Sequence, residues 1–193
     1  MSAAPVDAHL IETRLRTEGL LKGRFLDVRR DTVALPGGGE ATREYVVHPG
    51  AVMVVPILDD GRLVVERQYR SPLQQVVLEF PAGKKDPGES GRVCAERELA
   101  EETGYRAAEW GHAGVLHNAP AYSTEHIEIW FARGLTAGAA KPDVGEHLEV
   151  LAMTEDEIDR RAGAGELTDA KTLIGLLWLQ KWRAGRWPVR WSS

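Results

Sequence analysis

The stretch GKKDPGESGRVCAERELAEETGY, residues 83–105, joins a loop rich in Gly and Lys to a helix pattern that closes at Gly104. On a helix, Glu98, Glu101 and Glu102 stand at i, i+3 and i+4 and share one face, within an arc of about 100°. Like charges at these spacings cost a few tenths of a kcal/mol per pair, so helix stability gives no reason for the arrangement. Two readings follow. Lys84, Lys85, Arg92 and Arg97 partly neutralise a solvated acidic face, or the face holds a hard divalent cation such as Mg2+ or Mn2+.

Working outward, VVLEF (76–80) reads as a strand that stops at Pro81, with AGKKDPGESG as loop. AVMVVPIL (51–58) and RLVVERQYR (62–70) read as an apolar strand pair around the turn signal DDG, and the continuous apolar run of the first implies burial on both faces. Further strands are expected at HAGVLHNA, at 125–135 and at LEVLAM (148–153). Thr154 with Glu157 marks a helix start, and a last helix is expected over 169–183. Before residue 48, short strands from about Gly19 to Val47 form an antiparallel meander with a turn at PGGG. Helices around a mixed sheet imply an α/β sandwich, with the meander as a separate small element.

Composition narrows the setting. The chain has 193 residues and a net charge of −5, with its basic residues scattered, which argues against a surface built for nucleic acid. One cysteine excludes an intrachain disulfide and a multi-Cys zinc site, and no stretch has the apolar length of a signal peptide or a membrane span. A cytoplasmic location is expected.

The opening stretch resembles the signature of the Nudix hydrolases, G-x5-E-x7-R-E-U-x-E-E-x-G-U. Its fixed positions fall on Gly83, Glu89, Arg97, Glu98, Leu99, Glu101, Glu102 and Gly104, with Tyr105 where an aliphatic residue is commoner. The resemblance implies a Nudix-type α/β/α sandwich over 49–193, preceded by a dimerisation element over 1–48. It also implies a Mg2+-dependent hydrolase, with Mn2+ as a substitute, that cleaves a diphosphate linked to another moiety. By position Glu98 and Glu102 are the principal metal ligands, Glu101 a further one, and the carbonyl of Ala82 completes the shell. Glu89 and Arg97 form a supporting ion pair.

Outside the signature, TREYVVHPGAVMVVPI, RQYRSPLQQVVLEFPAGK, DAKTLIGLLWL and a proline at position 120 resemble the ADP-ribose pyrophosphatase branch. The resemblance implies that Arg43, Glu44 and Arg70 contact substrate, Arg70 taking a phosphate in bidentate fashion, and that Phe25 stacks on adenine across a homodimer. It places the general base or an additional metal ligand in KPDVGEHLEV (141–150), where Glu146 is the choice for both and Asp143 and Glu149 are alternatives. His117, His126 and His147 read as structural, Cys94 as a packed side chain, and Trp178 and Trp182, at i and i+4, as core or interface packing. The expected reaction is hydrolysis of ADP-ribose to AMP and ribose 5-phosphate. A hydrolase of another nucleotide sugar such as GDP-mannose is the alternative, and a non-catalytic ligand sensor is an alternative of another class.

Overall fold

The computed structural model describes residues 7–141, 145 and 147–193. The chain divides into two compact units, one comprising 1–48 with 119–125 and the other 49–118 with 126–193.

The first unit is an antiparallel sheet of β1 (Thr13–Lys22), β2 (Asp27–Ala34) and β3 (Glu40–Val46) in the order β1-β2-β3. β1 begins six residues before the expected Gly19, because its first half is exposed at every residue and carries no apolar alternation. Two of the PGGG glycines, Gly38 and Gly39, take φ of 91° and 86°, which a side chain would disfavour. The segment 119–125 belongs here through hydrogen bonds from Val46 N–H to Tyr122 O (2.9 Å) and from Thr124 N–H to Val46 O (3.0 Å).

The second unit contains β4 (Ala51–Pro56), β5 (Leu63–Arg70), β6 (Gln75–Glu79), β7 (Ala82–Lys84), α1 (Gly91–Thr103) and β8 (Tyr105–Leu116). Beyond these come β9 (Ile127–Ala137), β10 (Leu148–Met153), α2 (Glu155–Gly163), α3 (Ala170–Arg183) and β11 (Arg190–Ser192). A five-stranded sheet runs β11-β8-β9-β4-β7, with β4 and β9 parallel, and a three-stranded sheet runs β10-β5-β6. The mixed sheet with its helices is therefore the expected α/β arrangement. The expected β4–β5 pair is not formed: the two strands enter different sheets, and beside them an isolated Ile57–Leu63 bridge joins the chain across the turn. Burial decides this, since β4 needs cover on both faces and a two-stranded ribbon cannot supply it.

That cover is visible in the side-chain alternation along β4. Val52 and Val54 pack with Cys94, Ala95 and Leu99 of α1, while Met53 and Val55 pack with Leu176 and Leu179 of α3 and with Leu63 and Val65 of β5. Fully burying one such aliphatic side chain contributes about 1.5–3 kcal/mol, so β4 is a principal anchor for both helices. Gly175 of α3 lets the helix approach, since a Cβ there would lie 2.5 Å from the Met53 methyl.

Candidate active site

Helix α1 is fixed at both ends by local chemistry. Ser90 caps its N-terminus by accepting the Val93 N–H at 3.3 Å, and Gly104 closes it at φ 75°, donating its N–H to Ala100 O. Gly104 also faces a close neighbour, because a Cβ there would lie 2.6 Å from Gly138 O.

With its termini fixed, α1 turns Glu98 and Glu102 toward β7. Both are buried, at 9% and 5% exposure. Glu102 Oε2 accepts the Ala82 N–H at 3.0 Å, and the Glu98 carboxyl lies over Gly83, where a Cβ would sit 1.9 Å from it. The strand thus provides a backbone donor for one glutamate and the missing side chain for the other.

Arg97 ties the loop to this face. Its Nε and Nη2 donate to the two Glu89 oxygens at 3.0 and 2.9 Å, Nη1 donates to Glu98 at 2.8 Å and Glu101 at 3.1 Å, and Nη2 also reaches Lys84 O at 3.1 Å. This fork holds the Glu89 carboxyl down at about 2, against the opposing effect of burial, and raises the Arg97 guanidinium further. Cys94 is buried beneath, and burial pushes its thiol up to about 12, so it packs as an inert side chain.

The segment LEF and the motif DAKT form a second charged cluster. Asp169 caps α3 by accepting the Thr172 N–H at 2.9 Å, and the Thr172 hydroxyl accepts the Phe80 N–H at 3.0 Å. Glu79, 1% exposed, accepts from Arg70 Nε and Nη2 at 2.7 Å each and forms an ion pair with Lys171, which also meets Asp169 at 3.1 Å. Burial pushes the Glu79 carboxyl up, but Arg70 and Lys171 together outweigh it and hold it below its usual range. The hydrogen bonds to Glu79 raise the Arg70 guanidinium against the effect of burial, and the charges of Glu66 and Glu102 add to this. A cavity of about 420 Å³ opens beside Arg70, Leu73, Val77, Asn118 and Lys171.

The other expected residues lie as follows. Arg70 is at the end of β5, but its Nε/Nη2 edge is occupied by Glu79, so a phosphate would meet the Nη1 end instead of that fork. On β3, Arg43 is paired with Glu12 and Glu44 with Arg30. Phe25, 71% exposed, lies in the turn between β1 and β2 and not in an alternating strand. Glu149 is on β10, paired with Arg67 at 2.6 Å. Glu146 and Asp143 lie outside the described residues, while Lys141, just before them, donates its N–H to Glu101 O at 2.8 Å. His117 and His147 are exposed, and the His126 ring fills the space beside Gly50. Trp182 packs at a tilt against Phe131 and Trp191, with ring centroids 5.6 and 5.4 Å apart.

Comparison with known proteins sets a family name beside this geometry. The NUDIX domain model matches residues 47–173. The chain belongs to the Nudix hydrolase family. Residues 12–46 match the nucleoside diphosphate sugar hydrolase N-terminal domain. The Nudix chain is 37% identical over 171 residues to a methanol dehydrogenase activator of Bacillus methanolicus, covering 88% of this chain and 92% of that one. It is 34% identical over 173 residues to an ADP-ribose pyrophosphatase of Bacillus subtilis, with coverages of 89% and 94%. A solved structure described as an ADP compounds hydrolase superposes with a TM-score of 0.81 at 28% identity, over 91% of this chain and 95% of that one. It is therefore a Nudix hydrolase of the ADP-ribose pyrophosphatase-like kind.

Residues that the sequence left unmarked are Glu66, Glu79, Lys171 and Glu128. A charge inside an otherwise apolar strand, as in LVVERQ, VVLEF and HIEIWF, was the available signal.

Proposed function

We propose that the protein hydrolyses the diphosphate of ADP-ribose to AMP and ribose 5-phosphate and that it requires Mg2+, with Mn2+ as a substitute. The observation that carries this reading is the pair of buried carboxylates, Glu98 and Glu102, set against a strand that has no side chain at Gly83. All their donors are hard oxygens, which suits a divalent cation. Among the described residues no three Asp, Glu, His or Cys side chains are gathered as a metal-holding group, so the reading rests on Glu98 and Glu102 and on their place in the signature. Glu98, Glu102, Glu101 and the Ala82 carbonyl would hold the ion. When bound, Mg2+ would supply charge stabilisation at the phosphoryl oxygens.

The chain's own residues then divide the work. Arg97 keeps Glu98 and Glu101 in register with the loop, and Glu146 takes the proton of the attacking water. The water oxygen bonds to one phosphorus and the bridging P–O bond breaks, giving the two monophosphates. Arg70 meets a phosphate through its Nη1 end, and Arg43, Glu44 and Phe25 bind the nucleoside end. The N-terminal unit pairs two copies into a homodimer, a reading supported by the exposed apolar side chains Leu15, Leu20, Leu21 and Leu26 on and beside β1.

The similar identities to an ADP-ribose pyrophosphatase and to a protein named for activation of another enzyme, 34% and 37%, mean that rank alone does not choose the substrate. The match to a nucleoside diphosphate sugar hydrolase N-terminal domain favours a second reading, a neighbouring nucleotide sugar such as GDP-mannose. Incubation with Mg2+ and either compound, with products resolved, decides between them. AMP from ADP-ribose is expected; turnover of GDP-mannose alone would remove the substrate assignment and keep the reaction class.

A further inference from the structure

Glu128 on β9 has no part in the family signature, yet it bears on the same helix. Its Oε1 meets Lys85 Nζ at 3.0 Å, its Oε2 lies 3.9 Å from His112 Nε2, and its carboxylate rests against Gly91, the first residue of α1. A Cβ on Gly91 would lie 1.9 Å from Glu128 Oε2, so only glycine permits this approach without displacement. A carboxylate at a helix N-terminus is also electrostatically favourable.

The register of the mixed sheet gives this contact its meaning. Gly83 pairs with Val52, and Val52 pairs with Glu128, so the three residues form one row across β7, β4 and β9. Val52 packs toward α1, which puts the whole row under the helix. Two strand spacings separate Gly83 from Glu128 by about 10 Å. Along α1, the rise from Gly91 to Glu98 is also about 10 Å. The contacts are reciprocal: a helix carboxylate rests on a strand glycine at one point, and a strand carboxylate rests on a helix glycine at the other.

We infer that Glu128, held by Lys85 and seated on Gly91, is a positioning residue that fixes where α1 presents Glu98 over Gly83. Lys85 extends the effect to the loop, because its N–H also donates to Gly50 O at 3.1 Å and so anchors the start of the signature loop beside β4. The inference rests on the proposed metal-binding role of Glu98.

The test measures Mn2+ affinity by electron paramagnetic resonance, and kcat and KM for ADP-ribose at saturating Mg2+, in the full chain. Glu128→Ala is expected to weaken Mn2+ binding about fivefold and to lower kcat about tenfold, with KM within twofold, because a small misplacement of ligands acts on the chemical step. Glu128→Gln, which keeps the shape, is expected to show a smaller loss. Gly91→Ala is expected to match or exceed Glu128→Ala, and the double variant should be no worse than Gly91→Ala alone, as a shared contact requires. Thermal unfolding monitors the fold; if Gly91→Ala does not fold, the two Glu128 variants decide. Mn2+ affinity and kcat within about 1.5-fold of the parent in Glu128→Ala would overturn the positioning role, as would independent effects in the double variant. A parent that binds no Mn2+ would overturn the metal reading as well.

Discussion

Two arginines, Arg97 and Arg70, each grip a glutamate with the same Nε/Nη2 edge, half-buried Glu89 and buried Glu79, but their surroundings differ in charge. Around Arg70 the groups in direct ion-pair contact balance, Glu79 with Arg70 and Lys171, and Asp169 with Lys171, while Glu66 and Glu102 act on Arg70 by charge alone. Around Arg97 three carboxylates, Glu89, Glu98 and Glu101, share one guanidinium, and Glu102 stands a turn beyond Glu98. A balanced buried cluster is self-sufficient and fixes the approach of α3 to β6. A cluster in which several carboxylates crowd one guanidinium is suited to a further cation. Burial is common to both clusters, so it does not by itself mark Glu98 and Glu102 for the metal role proposed above; the crowding of carboxylates around Arg97 is what sets them apart.

The comparison can be broken at either arginine. The largest expected effect is at Glu102: Glu102→Gln should lower kcat by two orders of magnitude or more while the thermal midpoint moves by only a few degrees. A rate within about twofold of the parent would remove Glu102 from the metal site. Glu79→Ala should behave in the opposite way, costing about 3 kcal/mol because two partly buried cations lose their partner, seen as a fall in thermal midpoint of roughly 6–12 °C. A midpoint unchanged within about 2 °C would show that the second cluster does not hold α3.

A finer test uses pH. Glu89 is depressed from 4.5 to about 2 in the folded chain, so its contribution to stability is complete above the unfolded value and is lost as pH falls through the folded one. The stability gap between the parent and Glu89→Gln, measured by denaturant unfolding, should therefore be constant at neutral pH and shrink between about 4.5 and about 2. A gap that persists unchanged to the acid end would mean that Arg97 does not act through that carboxylate. The smallest effect is expected away from both clusters. Phe25→Ala should change the unfolding free energy by less than about 0.5 kcal/mol, as at other exposed sites, yet raise KM for ADP-ribose about fivefold if the ring stacks on the base.

How much of this was readable in the sequence depended on whether the signal was local. The Ser90 cap of α1 was not marked, whereas the Gly104 end of α1, the start of α3 near Asp169, the Thr154–Glu157 capping box of α2 and the double-sided burial of β4 are each set by residues close in the chain, and each was legible. So was the shared face of Glu98 and Glu102, because helical spacing is a local property. Strand partners were not. β4 and β5 look like a hairpin in sequence, and only the need to cover β4 twice sends them to different sheets. The strands β7 and β11 are three residues long, too short to carry a period. The Glu79–Lys171 pair spans 92 positions, and the occupation of Arg70 by Glu79 followed from fold geometry that no motif encodes.

The segment 119–125, which carries Pro120, has a consequence for anyone who cuts this gene. Besides the backbone bonds at Val46, the His48 N–H donates to Thr124 Oγ1 at 2.8 Å, so residues far apart in the chain finish one another's hydrogen bonding. Removing everything up to His48 would strip the segment of the edge it leans on, and the shortened polypeptide would carry an internal loop whose donors and acceptors had to find water. The N-terminal module is first in translation order but is completed only when the ribosome has passed residue 125.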